Sequence, residues 1–285
     1  MFLTSHEVEF PRASLAYFCN PREARVDQLF QGLTRLSERL VERGSSLHLA
    51  VVPSKLSLYG ERLPATLPTR LRQNCVDRVA NNELAVHGLK RRSPSFCVFY
   101  PREEMFALRD TPHFYPPESF HANSRLNYEF TVEYLRELGV SDEPIPAKAS
   151  LETIDADLTL MGFEREVKAW VYNYAQGITR YRRAPEWLRP VYKGARGFGR
   201  YKTEAPLSNQ KVLMLSDSFG AYFAPHLASG FSELMHVNIK HLRASEVEQF
   251  LETALRESGA DRVILLVHDA GLLNQSLRRF LDAVP

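Results

Sequence analysis

The sequence predicts an α/β fold, doubly wound around a mainly parallel sheet flanked by helices, and three observations carry that expectation. Short, largely apolar runs recur at 47–52, 212–215, 234–238 and 262–267, as in strands buried on both faces. Segments of helical period separate them at 23–43, 123–138 and 244–257. The run Val212-Leu213-Met214-Leu215 passes straight into the polar knot Ser216-Asp217-Ser218-Phe219-Gly220, and 221–227 then resumes a helix-compatible pattern. Alternation of this kind is the mark of an α/β domain.

Taken in order, 23–43 puts Val26, Leu29, Phe30, Leu33, Leu36 and Leu40 on one helical face, and Gly44 is a natural stop. Leu47 to Val52 is the first strand, closed by Pro53. A second, less regular helix follows at 67–86, then a short strand rich in β-formers from Phe96 to Tyr100. Asn123 or Ser124 caps a helix carrying Leu126, Phe130, Tyr134, Leu135 and Leu138, which ends at Gly139. The stretch at about 141–205 reads as an irregular aromatic and basic insertion. Its prolines and glycines interrupt any period, and Tyr172, Tyr174, Tyr181, Trp187 and Tyr192 either pack it onto the core or present rings for stacking on sugars. After Ser218, strand (234–238), helix (244–257) and strand (262–267) return. With no internal repeat, one domain spanning 1–285 is the economical expectation.

The chain has 285 residues, 44% hydrophobic and 25% charged, enough for one large packed α/β domain. A net charge of +2 gives no reason to invoke nucleic acid, and the basic run at 180–183 and 193–202 reads as a solvated loop or an anion-binding surface. No stretch approaches the roughly 18 apolar residues of a transmembrane segment. The N-terminal residues lack a basic leader and an apolar core, so no signal peptide is expected and the chain reads as cytoplasmic. Cys19, Cys75 and Cys97 leave at least one thiol unpaired, suggest no disulfide framework and lack metal-ligand spacing. No metal or cofactor is expected.

Ser218 is the candidate nucleophile. A strand-to-helix turn lifts its residue clear of the sheet and sets it where unpaired backbone N–H groups can receive a developing oxyanion. The same letters make a good N-cap, since Ser and Asp side chains accept from first-turn N–H groups. A serine needs a base, and Pro117-Glu118-Ser119-Phe120-His121-Ala122-Asn123 offers His121. His121 could instead bond the backbone of its own turn, and His113 is a competing base. His226, His236 and His268 fall on expected helix or strand and read as packing or surface residues.

Asp217-Ser218-Phe219-Gly220 after an apolar strand resembles the Gly-Asp-Ser signature of SGNH hydrolases and, more narrowly, the SGNH-like domain of the alginate O-acetyltransferase family. Arg43-Gly44, Leu47 through Lys55, Tyr59 and Leu63-Pro64 resemble that family's first strand and following loop, and Asp157-Leu158 a short Asp-Leu stretch. Tyr115 through Leu135 resembles its second signature, in which an Asp-x-His-Trp motif opens a helix. The histidine motif precedes the serine motif, which is the family's permuted order.

The resemblance implies an SGNH-hydrolase-like fold and acetyl transfer through an acetyl-Ser218 intermediate, with His121 as base and then acid. It implies a polysaccharide or a small acetyl ester as partner, a membrane-bound partner that supplies the acetyl donor, and a periplasmic location. The family's aspartate two residues before the histidine is Ser119 here, which can accept the imidazole N–H but carries no charge. Glu118 is an adjacent carboxylate, although side chains of neighbouring residues in an extended segment point apart; Asp110 lies upstream. The tryptophan after the histidine is Ala122, and the glycine before the aspartate is Ser216. An acyltransferase or esterase, and a catalytically degenerate protein that keeps the fold and a carbohydrate-binding or structural role in polysaccharide biosynthesis, are both compatible with these residues.

Overall fold

A computed structural model describes residues 19, 26–63, 65–116, 121, 125–155, 166–189, 197–272 and 275–285. Among them the strands are β1 (Ser46–Val52), β2 (Cys97–Phe99), β3 (Ala147–Asp155), β4 (Glu166–Tyr174), β5 (Ile178–Tyr181), β6 (Phe198–Thr203), β7 (Ser208–Ser216), β8 (Phe231–Asn238) and β9 (Arg262–His268). The α-helices are α1 (Val26–Val41), α2 (Lys55–Tyr59), α3 (Thr69–Arg92), α4 (Arg102–Leu108), α5 (Arg125–Glu137), α6 (Gly220–Ala228), α7 (Val247–Ser258) and α8 (Gln275–Asp282). Seven strands form the main sheet in the order β2-β1-β9-β7-β8-β6-β5. Neighbouring pairs among β2, β1, β9, β7 and β8 are parallel, whereas β6 and β5 join antiparallel at one side. The mainly parallel, helix-flanked sheet expected from the apolar runs is therefore present.

Side-chain alternation along the central strands explains those runs. Leu213, Leu215, Val263, Leu265 and Val267 face one layer, where they meet Leu33 and Leu36 of α1 and Phe250 of α7. Val212, Met214, Ile264 and Leu266 face the other, against Phe130 and Tyr134 of α5 and Phe223 and Leu227 of α6. With helices on both faces, neither side of these strands has a solvated position to fill with a polar residue.

Several elements differ from the sequence reading. Helix α3 runs to Arg92 rather than ending near residue 86, and it stops where Ser93 precedes Pro94, a step that disfavours helical backbone. The described residues of the stretch at about 141–205 are largely regular: they hold the antiparallel hairpin β3–β4 together with β5 and β6 of the main sheet. Gly177, with φ +64, sits at the turn between β4 and β5, and Gly199 is paired within β6, so these glycines do not abolish the strands. Tyr172 packs on Tyr128 of α5 with ring centroids 4.5 Å apart, and Trp187 lies 6.5 Å from Phe250. Tyr181 alone among the described aromatics of this stretch is classed with the exposed large side chains, at 49%. The expectation of no disulfide is also overturned. Cys19 and Cys75 are bonded across 56 residues in the core cluster with Leu56, Leu63 and Leu67, and Cys97 is free. Asn123, Ser124, Asp157, Leu158 and Tyr192 lie outside the described residues. Among those described, no helix is long and apolar enough to cross a membrane.

Candidate active site

The carboxyl ends of the parallel strands β1, β7, β8 and β9 gather at one edge of the sheet, where α/β folds place their sites. Strand β7 ends at Ser216, the chain turns through Asp217, Ser218 and Phe219, and α6 begins at Gly220. The turn is closed by Asp217. Its carboxylate accepts from the Phe219 N–H at 2.9 Å through Oδ1, and from the His268 N–H at 3.1 Å and His268 Nδ1 at 2.5 Å through Oδ2. Its carbonyl accepts from the Gly220 N–H at 3.3 Å. Burial alone would raise the Asp217 carboxyl, but the adjacent His268 imidazole and the two backbone N–H groups outweigh it and hold the group below the usual carboxylate range.

Ser218 is not the N-cap of α6. That position belongs to Phe219, and no side chain caps the helix there. The Ser218 hydroxyl instead meets His121, with Oγ 2.9 Å from Nε2, bringing together two residues 97 apart in the chain. Asp217 therefore takes the local role that the capping alternative assigned to serine. The Phe219 and Gly220 N–H groups are both engaged by Asp217, whereas the Ser218 N–H has no hydrogen-bond partner among the described residues.

Two close approaches restrict the turn. A Cβ on Gly220 would lie 1.9 Å from Ser216 Oγ and 2.8 Å from His236 Nε2, and one on Gly271 would lie 2.7 Å from His268 Nδ1 and 2.9 Å from Asp217 Oδ2. Ser216 Oγ is itself fixed, donating to the Asp217 carbonyl at 2.8 Å and sitting 2.7 Å from His236 Nε2. Ser216, which stands where the SGNH signature has glycine, thus belongs to a buried clamp under the Ser218 turn.

The chain ahead of His121 is tied down by the loop that follows β1. Ser54 caps α2, accepting from the Ser57 N–H at 3.3 Å. Lys55 Nζ donates to the Pro116 carbonyl at 2.9 Å and lies 4.5 Å from the Tyr115 ring centroid. Tyr59 donates to the Arg109 carbonyl at 2.7 Å. The Lys55 and Tyr59 positions singled out in the sequence therefore anchor the chain at Pro116 and at Arg109. Ser57 and Tyr100 both donate to the buried Asp269, which follows His268 at the end of β9. Burial, and then Asp269, push the Tyr100 hydroxyl far above its ordinary range.

Rings enclose the imidazole. Tyr222, one turn into α6, stacks on His121 with centroids 4.8 Å apart and planes at 20°. Phe219 stands 4.8 Å from His121 at 62° and stacks on His268 at 4.5 Å and 12°. His268 was read from the sequence as a packing or surface residue, yet it is the partner of Asp217. Its place as the last residue of a buried parallel strand was the signal available for it. His236 is buried and His226 half-buried, and loss of solvent pushes both imidazoles down to about 3; for His236, Arg180 adds to the effect and Asp217 opposes it. His113 lies in a turn with φ +58, and the described bond to Ser218 comes from His121. Asp110 is exposed and paired with Arg62. Ser119 and Glu118 lie outside the described residues.

No family model and no curated protein matches this sequence. Solved structures do share its fold. PatB1 of Bacillus cereus, in a structure with a sulfonyl adduct, superposes with a TM-score of 0.65 at 15% identity over 90% of this chain and 92% of its own. A DHHW family protein from Eubacterium siraeum gives 0.62 at 14% identity over 90% and 88%. The O-acetyltransferase domain of Pseudomonas putida AlgJ gives 0.52 at 14% identity over 92% and 93%. At such identities the likeness is one of fold, the SGNH-like α/β architecture that the motifs led us to expect.

Proposed function

We propose that this protein transfers an acetyl group on carbohydrate through an acetyl-Ser218 intermediate, as a polysaccharide O-acetyltransferase or an acetylesterase. The observation that carries the reading is the 2.9 Å approach of His121 Nε2 to Ser218 Oγ at a strand-to-helix turn. The fold shared with the AlgJ O-acetyltransferase domain supports the same chemistry. Ser218 Oγ attacks the acetyl carbonyl while its proton passes to His121 Nε2. The Ser218 N–H is the turn's uncommitted donor for the oxyanion. As the intermediate collapses, the bond to the donor oxygen breaks and His121 returns the proton to it. A sugar hydroxyl or water then gives its proton to His121 and takes the acetyl group, restoring Ser218. Ser119 is assigned to the imidazole's other nitrogen, and a membrane-bound partner to supply of the acetyl donor. The Cys19–Cys75 disulfide favours an oxidising compartment, hence the periplasm over the cytoplasm.

The test is acetyl transfer from p-nitrophenyl acetate to oligosaccharide acceptors, read by mass spectrometry of the sugar and of the trapped acetyl-enzyme. Wild type should acetylate Ser218, and Ser218→Ala and His121→Ala should each lose the activity by at least about a hundredfold. An inert wild type, with donors and acceptors varied, would instead favour a degenerate protein that retains the fold for carbohydrate binding.

A further inference from the structure

We infer that Tyr222 is the positioning residue for His121, holding the imidazole by stacking and stabilising the positive charge it acquires as Ser218 attacks. The inference rests on the reading of Ser218 and His121 as nucleophile and base. When His121 Nε2 takes the serine proton it becomes a cation. In a full triad a buried carboxylate offsets that charge, and the face of an aromatic ring is a second, independent source of such stabilisation.

Asp217, the nearest acid in sequence to the nucleophile, is not free to substitute. Both its carboxylate oxygens are committed, one to the Phe219 N–H and the other to His268. The Phe219 ring, stacked on His268 and 4.8 Å from His121, adjoins both imidazoles.

Tyr222 is built for the other role. Its ring lies nearly parallel to the imidazole, 20° off, with centroids 4.8 Å apart, within the roughly 6 Å at which an aromatic face attracts a cation. Its backbone is fixed independently of the ring, because Asn127 Nδ2 donates to the Tyr222 carbonyl at 3.1 Å from the buried face of α5. Ser218, in the turn that leads into α6, meets the imidazole at Nε2, and Tyr222, in the first turn of that helix, covers its face. The turn and the helix it opens thus contact the imidazole from two directions.

The experiment follows sulfonylation of Ser218 by phenylmethanesulfonyl fluoride, in which the Oγ–S bond forms, the S–F bond breaks, fluoride leaves and the proton goes to His121. The reaction needs no glycan and reads the base alone. Tyr222→Phe should react within about twofold of wild type, because the ring face remains. Replacing that phenylalanine by its mono-, di- and trifluoro analogues drains the ring face of electron density with little change of shape. The rate should fall stepwise across the series, by about two- to thirtyfold in all, the range expected for an aromatic–cation contact. Thermal unfolding should stay constant across the series. A rate independent of fluorination, in protein that still reacts at Ser218, overturns the role of Tyr222 and leaves the proposed function standing. Absence of sulfonylation in wild type overturns both.

Discussion

Gly220 and Gly271 show how narrowly the turn around Ser218 is built at the level of single residues. Gly220→Ala would drive a methyl group into Ser216 Oγ, only 1.9 Å from the ideal Cβ. We expect it to destabilise the fold by about 1–3 kcal/mol, the usual range for overpacking, and to reduce Ser218 labelling more than tenfold. Gly60→Ala, which meets nothing within 4 Å, is the control and should change urea midpoints little. Gly271→Ala should act through the Asp217–His268 pair. His268→Ala should loosen the same turn, and His268→Asn should restore part of the labelling if the amide can reach Oδ2. Ser218 and His121 were legible in the sequence because each sits in a short local pattern. His268 and Tyr222 were not. The Asp217–His268 contact spans 51 residues, and the Tyr222–His121 stack depends on how helix and loop meet.

At the level of elements, periodicity revealed the helices and strands of the two core layers, since α1, α5, α7, β1, β7 and β9 each bury a regular face. The hairpin β3–β4 escaped notice for a physical reason. Its strands are half-exposed and carry charged residues, and tertiary docking onto α5, through the Tyr128–Tyr172 stack, gives them their place. The Cys19–Cys75 bond was equally hidden, because three cysteines without a spacing pattern say nothing of pairing. It ties α3 to the chain ahead of α1. Closing a 56-residue interval should be worth up to about 4 kcal/mol in the chain-entropy model. Cys75→Ser should therefore lower the urea midpoint markedly, and thiol titration of unfolded, unreduced protein should find one reactive cysteine rather than three.

The whole molecule should be acid-sensitive in a defined window. His226 and His236 are held neutral by burial, with values pushed down to about 3 from an ordinary 6.5. Between those values the unfolded chain binds protons that the folded chain refuses, so stability rises with pH there. It should be fully present above 6.5 and be lost progressively as pH falls toward 3. Thermal midpoints measured from neutral pH downward should trace that loss. His236→Gln, which keeps a polar partner for Ser216 but cannot take up a proton, should flatten the slope; an unchanged slope would exclude His236 as a source of it. None of this was visible in composition, because nine histidines say nothing of which are buried.

Strand order imposes a timetable on the chain. The last strand, β9, lies between β1 and β7, and Ser45 Oγ bonds the Ala260 carbonyl across 215 residues. Until β9 leaves the ribosome, β2-β1 and β7-β8-β6-β5 are two fragments with bare parallel edges and, among the described residues, no strand pairing between them. Pairing so distant in sequence makes for slow folding and leaves sticky intermediates. The same strand carries His268, which closes the turn around Ser218. Nascent chains that stop short of residue 262 should therefore associate with holdase chaperones and leave Ser218 unlabelled, and emergence of β9 should join the sheet and close the Ser218 turn in one step.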